Sequence, residues 1–174
     1  MIIDIHGHYT TEPPALQQFR DKQLAGLADA ARRPASAELG IGDETLVKSV
    51  ETQLRLQKER GGDLTVFSPR ASGMAHHVGS EAVSLEWTRI CNDLIHRICR
   101  LLPDNFVGVG QLPQFPGVEP RRCIPELERM VRGWKRAATR NDEAALERAR
   151  QESRTLAIFP DLDGMYVVRG RLTP

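Results

Sequence analysis

The sequence predicts an α/β fold with three parallel strands at its centre. Three short apolar runs are separated by helical segments, and the order of elements through residue 132 is β-α-α-β-α-β-α. The runs are apolar rather than alternating with polar residues, which is typical of strands in parallel sheets. Strands separated by one or two helices favour right-handed βαβ crossovers. The chain is therefore predicted to start as a series of parallel βα units.

Composition places the chain among ordinary globular domains. Of its 174 residues 40% are hydrophobic, and the formal net charge is +1, which gives no general reason to expect nucleic-acid or membrane binding. No apolar run reaches the roughly 18 residues of a membrane-spanning helix, and Met1 leads directly into a strand without a basic leader region. We therefore expect a cytoplasmic protein. Three cysteines, Cys91, Cys99 and Cys123, lack CxxC or zinc-finger spacing, so we interpret them as reduced packing residues.

The first strand lies within residues 1–10, MIIDIHGHYT, and is followed by a loop. Because strand side chains alternate between faces, His6 and His8 point to the same side at the carboxyl end of this strand. Neutral imidazoles are good zinc ligands, and Gly7 between them leaves room for an ion to approach the backbone. The pair is therefore half of a candidate metal site. The alternative is a pair of histidines at a strand-to-loop junction without a metal.

Two helical segments separate the first strand from the second. Residues 15–31 follow a proline pair and show a loosely periodic apolar pattern. Asp43 is a good N-cap for a second helix, which continues to Arg60 and is closed by two glycines. This second helix has one apolar stripe, made of Leu46, Val47, Val50 and Leu54.

The rest of the predicted α/β region contains two more strands and two more helices. Residues 64–67 form a short apolar second strand. Residues 80–102 show the strongest helical pattern of the chain, with His96 on the solvent-facing side. A third strand follows over residues 106–111. A helix over residues 123–132, with proline in its first turn, completes the pattern.

The last part of the chain has a different composition. Between Arg132 and Arg154, seven basic side chains outnumber four acidic ones, which is typical of an exposed helix. Residues 155–159 and 165–170 are predicted to form the strands of a hairpin. Asp161 and Asp163 lie between them and are interpreted as turn formers.

Six fragments of the first 131 residues form a selective combination. They are IIDIHGHYTT, QLRLQKERGGDLTVFSPRAS, MAHHVG, CNDLI, PDNFVGVGQLPQ and CIPELE. Together they resemble the N-terminal portion of the 4-oxalomesaconate hydratase family, within the metal-dependent amidohydrolase superfamily. The resemblance implies a TIM-type (β/α)8 barrel, which needs roughly 200–250 residues when complete. We therefore expect residues 1–132 to form three βα units of an incomplete barrel, and residues 133–174 to form an unrelated tail of a charged helix and a β-hairpin.

The resemblance also implies an activity. Members of the family are zinc-dependent hydro-lyases that add water across a carbon–carbon double bond of a small tricarboxylic acid, in the 4,5-cleavage route of protocatechuate degradation. Their first strand supplies two metal ligands, which are His6 and His8 here, and later strands supply a third histidine and an acidic residue. No histidine occurs after His96. We therefore expect an incomplete zinc site and no activity from this chain alone.

Residues 68–79 form a polar loop that carries three candidate contacts for a polycarboxylate substrate. Arg70 lies just past the carboxyl end of the second strand, on the rim where barrel active sites are built; alternatively, it bonds neighbouring carbonyls. Ser72 is placed to hydrogen-bond the same carboxylate, or only to cap a turn. His77 fits the family's loop pattern better than His76, and would orient a substrate carboxylate or a metal ligand.

Other interpretations remain open. Residues 133–174 weakly resemble an actinobacterial family of unknown function whose members often precede HNH nuclease domains, although no HNH residues are present. A nucleic-acid accessory module would use this basic segment, but the near-neutral net charge does not favour it. A further alternative is a non-catalytic fragment or fusion that keeps only the fold. Unpaired strand edges would also favour self-association into a homo-oligomer.

Overall fold

A computed structural model describes residues 1–140, 155–160 and 166–171. The chain divides into two compact units, Met1–Val131 and Arg132–Pro174, and each is described by itself. The expectation that the tail after residue 132 is unrelated to the first unit stays a prediction.

The first unit contains a three-stranded parallel sheet. Its strands are β1 (Ile3–Tyr9), β2 (Leu64–Pro69) and β3 (Phe106–Gly108), in the order β1-β2-β3. The predicted α/β fold with three parallel strands is therefore confirmed. The register of β1 against β2 shifts between Asp4 and Gly7, where β1 carries one more residue than its partner.

Helices connect these strands and cover one side of the sheet. In the described residues they are α1 (Pro14–Ala25), α2 (Asp43–Ser49), α3 (Glu51–Glu59), α4 (Glu81–Leu101) and α5 (Ile124–Arg140). Short 3₁₀ turns lie at Ala30–Arg32, Ser36–Leu39, Ala71–Gly73 and Pro120–Cys123. Within the part of the chain that the structure describes, none of the helices has both the length and the apolarity needed to cross a membrane.

The first helix ends earlier than its apolar pattern predicted. α1 stops at Ala25, and the N–H of Gly26 donates to the Lys22 carbonyl 3.0 Å away. A side chain at Gly26 would place its Cβ 2.8 Å from Cγ of Arg33. The chain therefore turns back closely over the helix end, and this tertiary contact sets the boundary.

The helix predicted over residues 43–60 is divided at Val50 into α2 and α3. Val50 is fully buried, and its N–H bonds to the carbonyl of Val47, only three residues earlier. The Ser49 hydroxyl donates to the Leu46 carbonyl at 2.7 Å and competes with regular helical bonding. The turn at the division tightens the backbone where both Leu46 and Val50 enter the core.

Asp43 is predicted to be the N-cap of α2, but it lies inside the first turn of that helix. The N-cap is Gly42, which offers no side-chain hydrogen bond. The Asp43 carboxylate suits the positive end of the helix dipole. It accepts a 2.6 Å hydrogen bond from Nη2 of Arg97 on α4, and this bond explains its placement.

The third strand is shorter, and the last helix longer, than predicted. β3 stops at Gly108, although the Val109 N–H still donates to β2. Farther on, both backbone polar groups of Gln111 bond to the side chain of Asn92 on α4, so the chain leaves the sheet. α5 continues through Gly133 to Arg140 instead of ending at residue 132.

α4 lies at the centre of the hydrophobic core, where it packs against α2, β2 and β3. Six residues of the stripe predicted from helical spacing are buried, namely Val83, Trp87, Ile90, Cys91, Leu94 and Ile98, whereas Leu101 at the end of the helix is 37% exposed. The cysteines are free thiols, as interpreted from their spacing. Burial raises the pKa of Cys99 to about 11, which keeps this thiol protonated at neutral pH.

Helices cover only one face of the sheet in the described residues. On the covered face the rings of Phe67 and Phe106 lie 4.6 Å apart, and both residues are buried. On the other face Ile5 is 80% exposed, Val107 47% and Val109 41%. We call this the open face. Apolar strand residues therefore do not imply burial on both faces in this part of the chain.

The second unit contains the end of α5 and two strands, β4 (Thr155–Pro160) and β5 (Tyr166–Arg171), which pair antiparallel. Their register runs from Thr155 opposite Arg171 to Pro160 opposite Tyr166. The predicted turn formers Asp161 and Asp163, and most of the predicted charged helix, lie outside the described residues.

Candidate metal and carboxylate site

His6 and His8 lie side by side at the carboxyl end of β1. Their ring centroids are 4.8 Å apart, and the rings are nearly perpendicular. His6 is exposed and His8 is half-buried. The N–H of His6 donates to Oδ1 of Asp4 at 3.0 Å, at the point where the β1 register shifts. Two imidazoles therefore face one small region of the protein surface.

Ser68 on β2 lies within hydrogen-bond distance of one ring nitrogen of His8. The Ser68 hydroxyl oxygen lies 3.1 Å from the Gly7 carbonyl oxygen, to which it can donate, and 2.7 Å from Nδ1 of His8. When the hydroxyl proton goes to the Gly7 carbonyl, Ser68 accepts from Nδ1–H of His8. Nε2 of His8 is then left with a free lone pair, the state that a metal ligand needs. Sequence reasoning missed Ser68, whose only signal was its place at the end of an apolar strand.

Gly7 lies where β1 approaches β2 closely. A Cβ at Gly7 would lie 2.2 Å from Cγ2 of Thr65 and 2.9 Å from the Val66 carbonyl oxygen. The space that a side chain would need is therefore occupied by β2. Close packing of the two strands therefore requires this glycine. The room for an ion that we predicted beside it stays a prediction.

A shallow pocket of about 120 Å³ surrounds the two imidazoles. Besides the histidines and Ser68 it is lined by apolar side chains, including Ile5, Val66 and Val109. Among the described residues, no group of three or more His, Cys, Asp or Glu side chains is placed to hold a metal ion. The donor chemistry fits two of the four ligands of a tetrahedral zinc ion.

Arg70 is engaged with the loop after β1. Its Nη2 lies 3.0 Å from Oε1 of Glu12 and donates to Oε1 of Gln17 at 3.3 Å. Its side chain therefore bonds carboxylate and amide oxygens, not the neighbouring carbonyls of the alternative interpretation. Burial raises the pKa of Glu12, and the charge of Arg70 opposes this shift.

A small interior cavity of about 20 Å³ adjoins this ion pair, enough space for about one water molecule. Oε2 of Glu12 and Nε of Arg70 are both buried, and neither has a hydrogen-bond partner among the described residues. The two atoms are polar, so the cavity suits a water molecule better than an apolar group.

The other two candidate contacts lie on the loop between β2 and α4, which we call the β2–α4 loop (residues 70–79). Ser72 and His77 are both exposed. The pocket at the two histidines of β1 is lined by Ser68, and Arg70, Ser72 and His77 are not part of its lining. The structure thus places these three side chains on one loop but does not bring them into the histidine pocket.

His76 has a different environment from His77. It is half-buried, and Nδ1 lies 2.9 Å from the hydroxyl oxygen of Ser84 on α4. Burial lowers the pKa of His76, and the charges of Arg20 and His77 add to this effect. The His76 imidazole is therefore bonded to the protein and its neutral form is favoured, whereas His77 is the imidazole that the loop exposes.

Sequence reasoning also missed a polar network behind the loop after β3. Glu126 is buried, and its carboxylate accepts hydrogen bonds from Arg89, Arg129 and Asn92. Burial by itself would raise the pKa of Glu126, but the hydrogen bonds from Arg129 and Arg89 outweigh it, and the net shift is downward. Because Asn92 also bonds the backbone of Gln111, the network connects α4 and α5 to this loop.

Comparison with known proteins identifies the group to which this chain belongs. The sequence matches the amidohydrolase family over residues 3–160, which extends past the boundary expected at residue 132. It is 48% identical over 132 residues to a 2-keto-4-carboxy-3-hexenedioate hydratase of Sphingobium sp. (strain NBRC 103272 / SYK-6), covering 75% of this chain and 38% of that protein.

A solved structure gives the same result. The crystal structure of a 4-oxalomesaconate hydratase from Rhodopseudomonas palustris superimposes with a TM-score of 0.72 at 51% sequence identity, over 78% of this chain and 40% of that one. The chain thus spans about two-fifths of the length of each of these relatives, at 38% and 40%. The resemblance inferred from the six sequence fragments is confirmed, and because the family match covers most of its length, the chain belongs to the amidohydrolase family.

Proposed function

We propose that this chain supplies part of the catalytic site of a metal-dependent hydro-lyase, which adds water to a carbon–carbon double bond of a small unsaturated polycarboxylate. Both relatives described above are named hydratases, at 48% and 51% identity. Their names favour an enzyme over a non-catalytic fragment or a nucleic-acid accessory module. The chain covers only 38–40% of the relatives' length. The hydro-lyase activity of a whole protein is therefore part of this proposal.

His6 and His8 are the proposed ligands of a divalent metal, with zinc as the preferred ion. The observation that carries this assignment is the hydrogen bond between Nδ1 of His8 and Ser68, which leaves Nε2 free to coordinate. A zinc ion bound there would lower the pKa of a coordinated water toward about 7. The two imidazoles would hold the ion, and Ser68 would keep one of them in the tautomer and orientation that coordination needs.

Arg70, Ser72 and His77 are the proposed contacts for the substrate's carboxylates. A guanidinium group matches a carboxylate in both charge and shape. Glu12 and Gln17 hold one end of Arg70, which limits the directions in which the guanidinium points. Ser72 and His77 are exposed on the same loop and add hydroxyl and imidazole donors for a second carboxylate.

We also propose that residues 1–132 form three βα units of a TIM-type barrel, and that residues 133–174 are a separate helix–hairpin unit. The parallel order of β1, β2 and β3, and the division of the chain at Val131, support this organisation. The open face of the sheet would then correspond to the interior of the barrel, where a metal site at the strands' carboxyl ends is expected.

Zinc titration of the 174-residue chain tests the metal assignment. We expect weak binding, because the described residues bring together only two candidate ligands and water must complete the coordination. His6→Ala and His8→Ala should each abolish binding. His77→Ala is the matched control, since it removes an exposed imidazole outside the histidine pocket and should leave binding unchanged. Tight stoichiometric binding that survives the first two substitutions would contradict the proposal.

A hydration assay is the second test. With zinc added, loss of the ultraviolet absorbance of a conjugated dienol polycarboxylate would report turnover. We expect none from this chain alone, since removing one catalytic participant typically costs about 10²–10⁴-fold in rate. Metal-dependent turnover that disappears in His6→Ala would show instead that the 174 residues suffice.

A further inference from the structure

The β2–α4 loop has a backbone that needs external support. Ala75 has φ +42°, a left-handed conformation that residues with a side chain rarely adopt. Gly79 has φ +89°, and a Cβ there would lie 2.8 Å from Cδ2 of Leu27. A left-handed residue that carries a side chain, such as Ala75, persists where the surrounding structure holds it, and such residues cluster at functional sites. The question is which side chains hold this loop.

Two buried side chains bond three consecutive carbonyls of the loop. Nε1 of Trp87 donates to the Gly73 carbonyl at 3.0 Å. Nη2 of Arg20 is shared between the carbonyls of Met74 and Ala75, at 3.4 and 3.5 Å. The backbone on both sides of the left-handed peptide is therefore bonded from the protein interior.

The two donors also support each other. Cζ of Arg20 lies 4.9 Å from the centre of the Trp87 ring, and the two residues are 3% and 5% exposed. A guanidinium stacked on an indole ring in a desolvated site is attracted by the ring's quadrupole. Arg20 comes from α1 and Trp87 from α4, so the loop is held between two helices.

The placement of Arg20 is costly, which argues for a role beyond packing. Burial lowers its pKa, and no carboxylate of the described residues forms an ion pair with it. Its Nη1 donates to Oε1 of Gln23 at 2.5 Å, and Gln23 in turn donates to Glu86. Charged groups buried in this way often stabilise less than an apolar side chain of similar volume would. The hydrogen bonds from Arg20 to the Met74 and Ala75 carbonyls explain why a charged side chain is buried here.

We propose that Arg20 and Trp87 are positioning residues that hold the β2–α4 loop in the conformation presenting Arg70, Ser72 and His77. The part of this inference that concerns substrate rests on the proposed function of those three side chains. The order of the loop is a separate property, and it can be measured without substrate or metal.

Hydrogen exchange on the 174-residue chain tests the proposal. In Trp87→Phe, which keeps a ring but removes the donor, amides of residues 71–79 should exchange about fivefold to tenfold faster, as expected for one lost hydrogen bond. Arg20→Met should have the same effect, and Arg20→Lys, which retains a cation, an intermediate one. Amides of β2 should keep their protection in all three. Ile98→Val, a fully buried change lower on α4, is the matched control for a general loss of stability.

Two outcomes would overturn the positioning role. One is unchanged exchange of the loop in both Trp87→Phe and Arg20→Met. The other is faster exchange that spreads equally over β2 and α4, as in the control variant. Citrate, used as a tricarboxylate probe, separates the two levels of the proposal. If citrate leaves exchange of the wild-type loop unchanged while the variants still loosen it, the positioning role stands and the carboxylate-binding function fails.

Discussion

Ser68 shows how a single hydroxyl proton decides the chemistry available at a neighbouring residue. When its proton goes to the Gly7 carbonyl, its oxygen accepts from Nδ1–H of His8. An imidazole held in this way needs no tautomer change to bind a metal. Ser68 is 60 residues away from His8 in sequence, and only strand pairing brings the two together.

Ser68→Ala should weaken zinc binding by about 10-fold, within the range seen when a partner that orients a metal ligand is lost. The physical reason is that Nδ1 and Nε2 of His8 would then compete for the proton and the ring would turn more freely. Zinc titration measures the change, and Ser72→Ala on the exposed loop is the control. Equal zinc affinity in wild-type and Ser68→Ala chains would show that Ser68 does not orient the ligand.

Half-buried histidines predict a pH dependence of stability. Burial lowers the pKa of His76 and of His96. The native state then binds fewer protons than the unfolded state, so this stability is present above the unfolded-state pKa of about 6.5 and is lost as the pH falls through the lowered native pKa. Urea unfolding at a series of pH values should show it.

His76→Asn and His96→Asn should each reduce the loss of unfolding free energy on acidification. Asn keeps a polar group near the position of Nδ1 but does not titrate. If both variants lose stability with pH as steeply as the wild type, other groups cause the acid sensitivity.

At the scale of secondary structure, the pairing of β1 with β2 depends on close approach at Gly7. The strands carry a register shift just before this residue, and Gly7 lies opposite Phe67. The shift places the two histidines at the strand end, beside Ser68, while Tyr9 returns to the buried face. The pairing of β1 with β2 thus sets the position of the candidate metal site.

Gly7→Ala should destabilise the chain by about 1–3 kcal/mol, the usual cost of forcing an extra carbon into packed structure. The added Cβ would meet Cγ2 of Thr65 at 2.2 Å and the Val66 carbonyl at 2.9 Å. Gly42→Ala is the matched control, because no atom lies within 4 Å of a Cβ there. Chemical denaturation measures the free energy of unfolding of both variants. Equal losses would contradict the prediction, because they would mean that β1 and β2 accommodate the added carbon at Gly7 without strain.

For the whole molecule, the open face is the main exposed apolar surface of the sheet. Ile5, Val107 and Val109 are 80%, 47% and 41% exposed. Ile5 and Val109 also line the pocket of the two histidines. Contiguous apolar surface of this kind, next to strand edges, favours association with other protein.

The 174-residue chain should therefore self-associate in a concentration-dependent way, as measured by light scattering. Val107→Lys should reduce the association, because a charge in the middle of the open face opposes contact between copies. Lys48→Arg, a conservative change on α2, serves as the control. A monodisperse wild-type monomer that unfolds cooperatively would show that the exposed face does not drive association.

Much of the architecture follows from local sequence pattern. The apolar stripe of α4 repeats at helical spacing, and that spacing predicts its buried face because helix geometry alone brings those side chains together. The same holds for His6 and His8, two residues apart on one strand, whose rings lie 4.8 Å apart. The family resemblance rests on similar short fragments, each of which keeps its residues close together.

Contacts between distant residues are decided only by the tertiary structure. Arg70 and Glu12, Ser68 and His8, and Arg20 and Met74 are bonded across the fold. Arg20 and Met74, for example, are 54 residues apart in sequence. No periodicity relates such positions. The division between α2 and α3 at Val50 is likewise not visible in the apolar stripe that runs through both helices. The sequence by itself therefore determined the strands, the central helix and the histidine pair. The hydrogen-bond partners of His8, Arg70 and the β2–α4 loop were decided only by the tertiary structure. A hydrogen bond needs its two atoms within about 3 Å, and only the packing of strands and helices brings residues so distant in sequence that close.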